Sequence, residues 1–489
     1  MRENSLIDGL WHRVQGAGDY VADLRTPTIR LGVTGLARAG KTVFITSLIH
    51  NLLQGGRLPF FDAMAEGRIN RAYLEPQPND EIPRFDYDMH LEELTSTPPT
   101  WPSNTERIRQ LRVTIEFESR HLLRKALGQD RLHVDIIDYP GEWLLDLPLL
   151  NMSFEEWSAE AFNMSSMPER RSLAADWRAL VMELDPTQEQ SEKTAAQLSK
   201  LFRSYLISCR DDAHALSMLP PGRFLMPGEL AGSPALTFSP LQLPANGRAP
   251  KNSLWQMMAR RFESYKTHVV KPFFKDHFTK LDRQIVLVDT LSALNAGPGA
   301  LKDLENTLTA ILNCYRPGRN SWLSGLLGKR IDRIMFAATK ADHLHQSSHA
   351  RLKQVLATLT ERASERADLA GARVEVMAIA SIRSTSETQV VQGGETLPLI
   401  KGVPLKGEKL GHVVFDGVEE IAIFPGDLPE DPDKTLLEGR PSPENGEEDI
   451  RFIRFRPPRI EKGIDGLPTA LPHIHLDHVL NFLLGDYLE

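Results

Sequence analysis

The chain has 489 residues, of which 41% are hydrophobic and 25% are charged, and its net charge is −8. A chain of this length needs two or three structural units rather than a single core, and its acidic balance argues against a general nucleic-acid-binding protein. Two cysteines are too few for a disulfide framework or a structural zinc site. No apolar run reaches the length of a membrane-spanning helix, and the N-terminus lacks the apolar core of a signal peptide. We therefore expect a cytoplasmic protein that binds neither zinc nor nucleic acid.

Residues 5–24 carry apolar side chains at spacings of three and four, which predicts an amphipathic helix. Such a helix either packs on the following domain or makes a peripheral contact with a membrane surface. Its charges are mixed and its basic face is thin, so packing on the domain is the favoured interpretation.

The sequence GLARAGKT, from Gly35 to Thr42, has the spacing of a phosphate-binding loop. It lies between an alternating segment at 29–34, which predicts a strand, and an amphipathic segment at 41–54, which predicts a helix. The glycines let the backbone curl, so that its N–H groups and the helix N-terminus point at a phosphate. Lys41 is expected to reach the β- and γ-phosphates, and the Thr42 hydroxyl to bind Mg²⁺. The expected nucleotide contacts are Gly35, Ala37, Arg38, Ala39, Gly40, Lys41, Thr42 and Val43.

A second motif, DYPG, begins at the end of a predicted strand at 132–138. Asp138, at the tip of that strand, is suited to hold Mg²⁺, and the N–H group of Gly141 can sense a γ-phosphate. Asp-x-x-Gly spacings also occur in plain turns. The position after a strand, downstream of a phosphate loop, favours the nucleotide role.

A third motif, TKAD at 339–342, follows a predicted strand at 331–338. Guanine presents two N–H donors on one edge, N1–H and the 2-amino group, and one carboxylate can accept both. Adenine has no such pair of donors. Asp342 is the expected acceptor, with Thr339 and Lys340 supporting the loop; the alternative is that Asp342 only caps a helix.

A fourth loop follows the predicted strand at 374–380, and its Ser381 and Ile382 are expected to lie against the base. The order of these four loops, each after a strand, resembles the core of a Ras-like GTPase. The spacing departs from a minimal core, because Asp138 lies 103 residues after Gly35. Roughly half of the chain is therefore inserted or appended.

The segments GLARAGKT, DYPGEW, PGRFLMPGELAGSPAL and TKADH together resemble the YcjX family of bacterial stress-associated P-loop NTPases. The resemblance extends from about residue 5 to the C-terminus. The family is often labelled ATPase, whereas the TKAD loop favours guanine. We therefore expect GTP or GDP with Mg²⁺ as the ligands.

The alternation of predicted strands and helices indicates an α/β protein whose mostly parallel sheet is covered on both faces. We predict a P-loop NTPase core of the Ras-like GTPase type with a helical insertion domain and a β-rich C-terminal elaboration. The predicted units are an N-terminal helix (1–27), the first part of the core (28–143), the helical insertion (144–282), the second part of the core (283–383), β-hairpins with an acidic loop (384–470) and a C-terminal helix (471–489).

Hydrolysis needs a group that orients the attacking water and a cation that offsets developing charge. Glu142 stands where many GTPases have glutamine, and an ionised carboxylate cannot donate a hydrogen bond, so slow turnover is expected. The cation candidates are Arg38, Arg107 and Arg109, and a partner protein could supply one instead. The spacing does not choose among them.

A threonine that senses the γ-phosphate should precede the strand predicted at 111–117. Thr105 is the best placed and Thr100 the next, although Thr105 is equally consistent with an ordinary turn. The expected catalytic residues are thus Lys41, Glu142 and Thr105. The expected metal ligands are Thr42, Asp138 and Thr105.

Other readings of the sequence remain open. An ATPase with the same phosphate site is one, and a nucleotide-stabilised interaction module with little turnover is another; a protein effector is expected but not identified. Histidine clusters at 343–349 and 473–478 lack a complete zinc spacing and are interpreted as solvated or capping residues. The alternation at 450–456 hints at RNA, but a half-buried hairpin is favoured.

Overall fold

The computed structural model describes most of the chain. The described residues are 26–36, 38–103, 107–120, 130–242, 249–314, 331–368, 372–392, 395–426, 428, 430–431, 452–464, 466 and 468–489. The helix predicted at 5–24, two expected site residues (Ala37 and Thr105) and most of the acidic loop lie outside them.

A seven-stranded sheet of order β2-β3-β4-β1-β5-β6-β7 runs through the described core. Its strands are β1 (Thr28–Gly35), β2 (Ile69–Leu74), β3 (Arg109–Phe117), β4 (Asp130–Asp138), β5 (Arg283–Val288), β6 (Arg333–Ala338) and β7 (Arg373–Ala378). The strands from β4 to β7 in this order are parallel, and β2 and β3 pair antiparallel at one edge. The predicted α/β fold with a mostly parallel sheet is confirmed.

Helices cover both faces of the sheet. They are α1 (Lys41–Gln54), α2 (Asp62–Ala65), α3 (Tyr87–Thr95), α4 (Phe154–Ser165), α5 (Pro168–Arg171), α6 (Ala175–Glu183), α7 (Glu192–Arg210), α8 (Gly222–Leu225), α9 (Leu254–Tyr265), α10 (Lys271–Asp276), α11 (Thr290–Ala296), α12 (Pro298–Cys314), α13 (His349–Asp368) and α14 (Leu476–Leu484). None of the described helices is long and apolar enough to cross a membrane.

The side chains of the central strand β5 divide between two apolar clusters, one on each face of the sheet. All residues of β5 are buried, and successive side chains point to opposite faces. Ile285 and Leu287 lie in an apolar cluster with residues of α1 and α14, whereas Val286 and Val288 lie in another with residues of α12 and α13. A continuous apolar run is thus typical of a strand covered on both sides.

Residues 144–282, called here the helical segment, contain helices α4 to α10. Aromatic side chains fill their core: Trp157 stacks on Phe262 with ring centroids 5.0 Å apart and meets Phe238 edge-on at 5.4 Å. The predicted helical insertion between β4 and β5 is therefore observed.

Short strands form the C-terminal part. They are β8 (Ser386–Gln392), β9 (Glu395–Gly402), β10 (Lys409–Leu410), β11 (Val413–Val414) and β12 (Ile421–Ile423). The hairpin predicted at 450–456 is wrong for its described residues, because Phe455 makes only an isolated bridge to Pro404. Its half-burial is nevertheless present, since Phe455 is buried and Arg454 exposed.

Two elements were not predicted. β2, in a region interpreted as loops and short helices, lacks apolar alternation because it is a partly exposed edge strand paired only with β3. α11 is a short helix capped by Asp289, whose side chain accepts from the N–H group of Ser292. β2 is as long as β5 but half-exposed, and α11 is too short to show a clear hydrophobic period.

The helical segment meets the turn after β4 through backbone atoms. At Gly222, the first residue of α8, a Cβ atom would lie 2.0 Å from the carbonyl oxygen of Glu142. The N–H group of Gly222 donates to Asp146 Oδ1 at 2.7 Å, and the Tyr265 hydroxyl donates to Asp146 Oδ2 at 2.6 Å. Burial raises the pKa of Asp146 to about 6, although both hydrogen bonds favour the ionised form.

Replacing Gly222 with alanine should destabilise the protein by about 3 kcal/mol, because the added methyl group would overlap a backbone oxygen that cannot move aside freely. Urea unfolding measures the loss. Gly56→Ala is a matched control, since a Cβ atom there would meet only Ala470 Cβ, at 3.3 Å. Equal losses in the two variants would contradict the close contact.

The Asp146 carboxyl should make stability depend on pH. Its pKa is raised from 3.8 to about 6, so the folded protein loses this proton at a higher pH than the unfolded chain does. Stability is then lost as pH rises between these values, by about 3 kcal/mol in total. The neutral Asp146→Asn side chain escapes this loss.

The stability of Asp146→Asn relative to the unmodified protein should therefore rise by about 2 kcal/mol between pH 4 and pH 7. Urea unfolding at several pH values measures the difference. Asp176→Asn, at an exposed position on α6, is the control. A difference for Asp146→Asn that stays constant with pH would contradict the raised pKa.

Candidate nucleotide site

The turn from β1 into α1 is open on one side. Gly35, Leu36 and residues 38–42 of this turn are called here the cradle. Gly40, with φ 78° and ψ 30°, adopts the left-handed conformation that glycine allows, and it supplies no side chain to cap α1. The N–H group of Leu36 donates to the Leu287 carbonyl at 3.2 Å and fixes the start of the turn against β5. The N-terminus of α1 is thus left facing an open cavity of 140 Å³, where an anion can bind it.

Lys41 and Asp138 meet inside this cradle. Lys41 Nζ lies 2.5 Å from Asp138 Oδ1, and the Asp138 side chain is only 1% exposed. Neither Asp138 oxygen accepts a well-oriented hydrogen bond from the described residues. The Thr42 hydroxyl lies nearby in sequence and contacts the Ser103 carbonyl at 3.4 Å. A buried carboxylate with free lone pairs and a hydroxyl are oxygen ligands of the kind Mg²⁺ prefers, so these residues fit that ion.

Gly141 holds the turn after β4 against this cradle. A Cβ atom there would lie 2.5 Å from the Gly35 carbonyl oxygen, so only glycine fits. The Thr34 hydroxyl donates to the Tyr139 carbonyl at 3.3 Å and ties the same two strands together. The two loops expected to contact phosphate therefore touch each other.

The 140 Å³ cavity lies over the cradle. Glu142 faces it from the turn after β4, and Arg210 faces it from the end of α7. Arg210 Nη1 lies 3.7 Å from Glu142 Oε1. The sequence analysis identified Glu142 but missed Arg210, because nothing in the helical pattern of α7 distinguishes its last arginine.

The expected cation candidates lie apart from one another. Arg38, in the cradle with φ 63°, pairs with Asp212, which follows α7. Arg107 lies 3.7 Å from Glu229 in a separate cavity, and Arg109 pairs in register with Asp138 across β3 and β4.

Among the threonines considered as γ-phosphate sensors, Thr100 is exposed. Its hydroxyl donates to the Glu93 carbonyl at 3.3 Å. Thr105 lies outside the described residues.

A second cavity, of 310 Å³, opens beside the first and shares Arg38, Ala39, Gly40, Val43 and Pro102 with it. The TKAD loop forms one wall. Thr339 is held by its N–H group, which donates to the Val288 carbonyl at 2.9 Å. Lys340, with φ 62°, contacts the Asp289 carboxylate; although burial opposes it, the Lys340 charge lowers the pKa of Asp289.

Asp342 is buried in the wall of this cavity and is bound by the following loop. Its Oδ2 atom accepts from the N–H group of Ser384 at 2.8 Å and from the Ser384 hydroxyl at 2.5 Å. The Thr385 hydroxyl donates to the Asp342 carbonyl. The sequence analysis named Ser381 and Ile382 in this loop and missed Ser384 and Thr385, whose adjacent hydroxyl groups were the available signal.

Ser381 and Ile382 also line the cavity. The Ser47 hydroxyl of α1 donates to the Ser381 carbonyl at 2.5 Å, which ties this loop to the helix that starts at the cradle. Ile382 is buried with Leu94 and Leu471. These two residues therefore shape the wall, whereas Ser384 bonds the Asp342 carboxylate.

An ion-pair chain runs along the 310 Å³ cavity, which Arg38, Asp212 and Arg454 line. Asp212 contacts Arg38 and lies 2.9 Å from Arg454, which in turn lies 2.6 Å from Glu408. Burial lowers the pKa of Arg38, and the nearby positive charge of Arg454 adds to the effect. The cradle, the helical segment and the C-terminal part thus meet along this cavity.

The chain is similar in sequence to known proteins. The model of the YcjX-like family, DUF463, matches residues 29–488. The chain is 35% identical over 471 residues to the Ras-like GTPase YcjX of Escherichia coli (strain K12), covering 94% of this chain and 96% of that protein. It is also 35% identical over 482 residues to the Ras-like GTPase YcjX of Shewanella oneidensis (strain MR-1), covering 94% of this chain and 95% of that protein.

Proposed function

The chain belongs to the YcjX-like family and is a GTPase-type P-loop protein, and we propose that it binds GTP with Mg²⁺ and hydrolyses it slowly as a conformational switch. The bacterial stress response suggested by the sequence resemblance is the setting we propose. The observation that supports guanine most directly is the position of Asp342. It lies in the wall of a cavity that shares lining residues with the cavity over the phosphate cradle.

Base recognition would rest on the Asp342 carboxylate. Ser384 donates twice to its Oδ2 atom, which fixes the plane of the carboxylate and leaves Oδ1 available to a ligand. Guanine offers N1–H and the 2-amino group to such an acceptor, whereas adenine offers no matching pair. A site built to accept hydrogen bonds discriminates strongly against a ligand that lacks the donors.

Phosphate binding would use the N-terminus of α1 and the Lys41 ammonium. Lys41 is in contact with Asp138 and would move from that carboxylate toward the β- and γ-phosphates. Thr42 and Asp138 would hold Mg²⁺, with Thr105 proposed as a further ligand. When bound, that ion supplies positive charge to the phosphate oxygens.

Turnover would depend on Glu142, which is buried beside the cradle and whose Oε1 atom has no hydrogen-bond partner among the described residues. Its carboxylate can accept a hydrogen bond from the attacking water and so orient it. Since it cannot donate one to the reaction centre while ionised, we expect slow hydrolysis. Lys41 would assist by offsetting charge on the phosphates.

The Asp342→Asn variant tests the base assignment. It should lose on the order of 100-fold in GTP affinity, because two hydrogen bonds to a charged acceptor are weakened. Affinity for xanthosine triphosphate should rise, since the amide can donate to the oxygen at position 2 of xanthine. Competition binding with GTP, ATP and xanthosine triphosphate measures all three affinities.

Ser384→Ala is the matched control for this experiment, because it removes one hydrogen bond to Asp342 and keeps the carboxylate. It should weaken GTP binding without favouring xanthosine triphosphate. Equal binding of ATP and GTP, both before and after the change at Asp342, would exclude guanine specificity and leave an ATPase.

The helical segment should report the nucleotide state. Gly222 touches the Glu142 carbonyl so closely that a shift of the Gly141 turn toward a γ-phosphate would displace α8. Structures with GDP and with a non-hydrolysable GTP analogue should therefore differ in the position of α8 relative to β1. The same placement in both forms would contradict the switch.

A further inference from the structure

Arg210 places a positive charge beside the phosphate cradle. It is the last residue of α7, and its Nη1 atom is buried with no hydrogen-bond partner among the described residues. The nearest carboxylate oxygen, Glu142 Oε1, lies 3.7 Å away and is itself buried and without a hydrogen bond. At this distance the two groups attract each other but form no hydrogen bond.

A fully buried arginine of the same segment, Arg170, is satisfied. Arg170 contacts Asp303 and donates to the Met218 carbonyl at 2.9 Å and to the Tyr205 hydroxyl at 3.3 Å. Burying a guanidinium without such partners is costly. Arg210, whose side chain is 26% exposed, has no such hydrogen bond at its buried Nη1 atom, and an anion in the adjacent cavity would supply one.

The adjacent cavity is the one over the cradle. Gly40, Lys41, Thr42, Glu142 and Arg210 all line its 140 Å³. Lys41 and Arg210 reach it from different elements, α1 and α7. Glu142 reaches it from the turn after β4. A phosphate chain in the cradle would thus have cations from both the core and the helical segment.

Asp212, two residues after the end of α7, holds that end beside the cradle. Asp212 contacts Arg38 of the cradle and lies 2.9 Å from Arg454 of the C-terminal part. Because Arg38 is engaged by Asp212, it is less suited to meet a phosphate. Arg107, which lies 3.7 Å from Glu229 in another cavity, is separated from the cradle.

We infer that Arg210 is a catalytic residue for GTP hydrolysis, an arginine finger that the helical segment supplies within the same chain. The inference rests on the proposed GTP turnover. A water oxygen bonds to the γ-phosphorus, the bond from that phosphorus to the β–γ bridging oxygen breaks, and its electron pair stays on GDP. The water protons leave to phosphate and solvent. Arg210 turns from Glu142 and donates to oxygens that gain charge in this step.

The closing experiment measures single-turnover phosphate release from GTP by the full chain with Mg²⁺. Arg210→Ala should slow hydrolysis on the order of 1,000-fold, as removal of an arginine finger does, while GTP affinity changes only a few-fold. Arg210→Gln provides a second variant of similar size, with the same expected loss. Arg203→Ala, at an exposed position on the same helix, is the matched control and should hydrolyse at the unmodified rate.

A second measurement separates chemistry from structure. GDP with aluminium fluoride mimics the transferring phosphoryl group, and its capture by the unmodified chain alone should be lost in Arg210→Ala although GDP still binds. Hydrolysis by Arg210→Ala and Arg210→Gln at the unmodified rate would overturn the arginine finger and leave the GTPase proposal standing. Absence of hydrolysis by the unmodified chain would overturn both.

Discussion

Contacts between backbone atoms, made where no side chain fits, hold the phosphate cradle, the turn after β4 and the helical segment together. Gly141 lies against the Gly35 carbonyl, and Gly222 lies against the Glu142 carbonyl. These contacts run in series from β1 to α8. Since backbone cannot rotate aside as a long side chain can, a displacement at one contact is transmitted to the next. The rest of the site depends on this chain of contacts for its geometry.

Several charged groups beside the cradle have unsatisfied polar atoms. Lys41, Asp138, Glu142 and Arg210 each have a buried polar atom without a hydrogen bond. By contrast, Arg283 in β5 pairs with Asp332 and Asp486 although it is fully buried. Buried polar groups are normally satisfied, so such a cluster of unsatisfied charged groups is typical of a ligand-binding site. Both signs of charge are present, as a phosphate chain with a cation requires.

The sequence predicted the parallel strands and the helices next to them well, because long buried elements have a strong hydrophobic period. The helix at 41–54 was predicted with the bounds that the structure has, since GLARAGKT and the glycines at 55–56 mark its ends. The edge strand β2 has no such signal. Hydrophobic periodicity identifies what is buried, and it fails where an element is short or half-exposed.

The candidate site was predictable only in part, for a different reason. GLARAGKT, DYPG and TKAD are local patterns, in which neighbouring residues act together. Ser384 and Arg210 make their contacts with residues far away in the chain, Asp342 and Glu142. Nothing in the composition around Arg210 separates it from Arg203 on the same helix. Such residues become visible only when the fold brings distant segments together.

In the proposed function, the insertions are part of the nucleotide site rather than additions to a finished core. The core supplies the cradle and Asp342, the helical segment supplies Arg210 and Asp212, and Arg454 of the C-terminal part lines the larger cavity. A ligand in both cavities would contact all three parts at once. Its binding energy would then depend on how they are arranged, and by linkage the arrangement would depend on which nucleotide is bound.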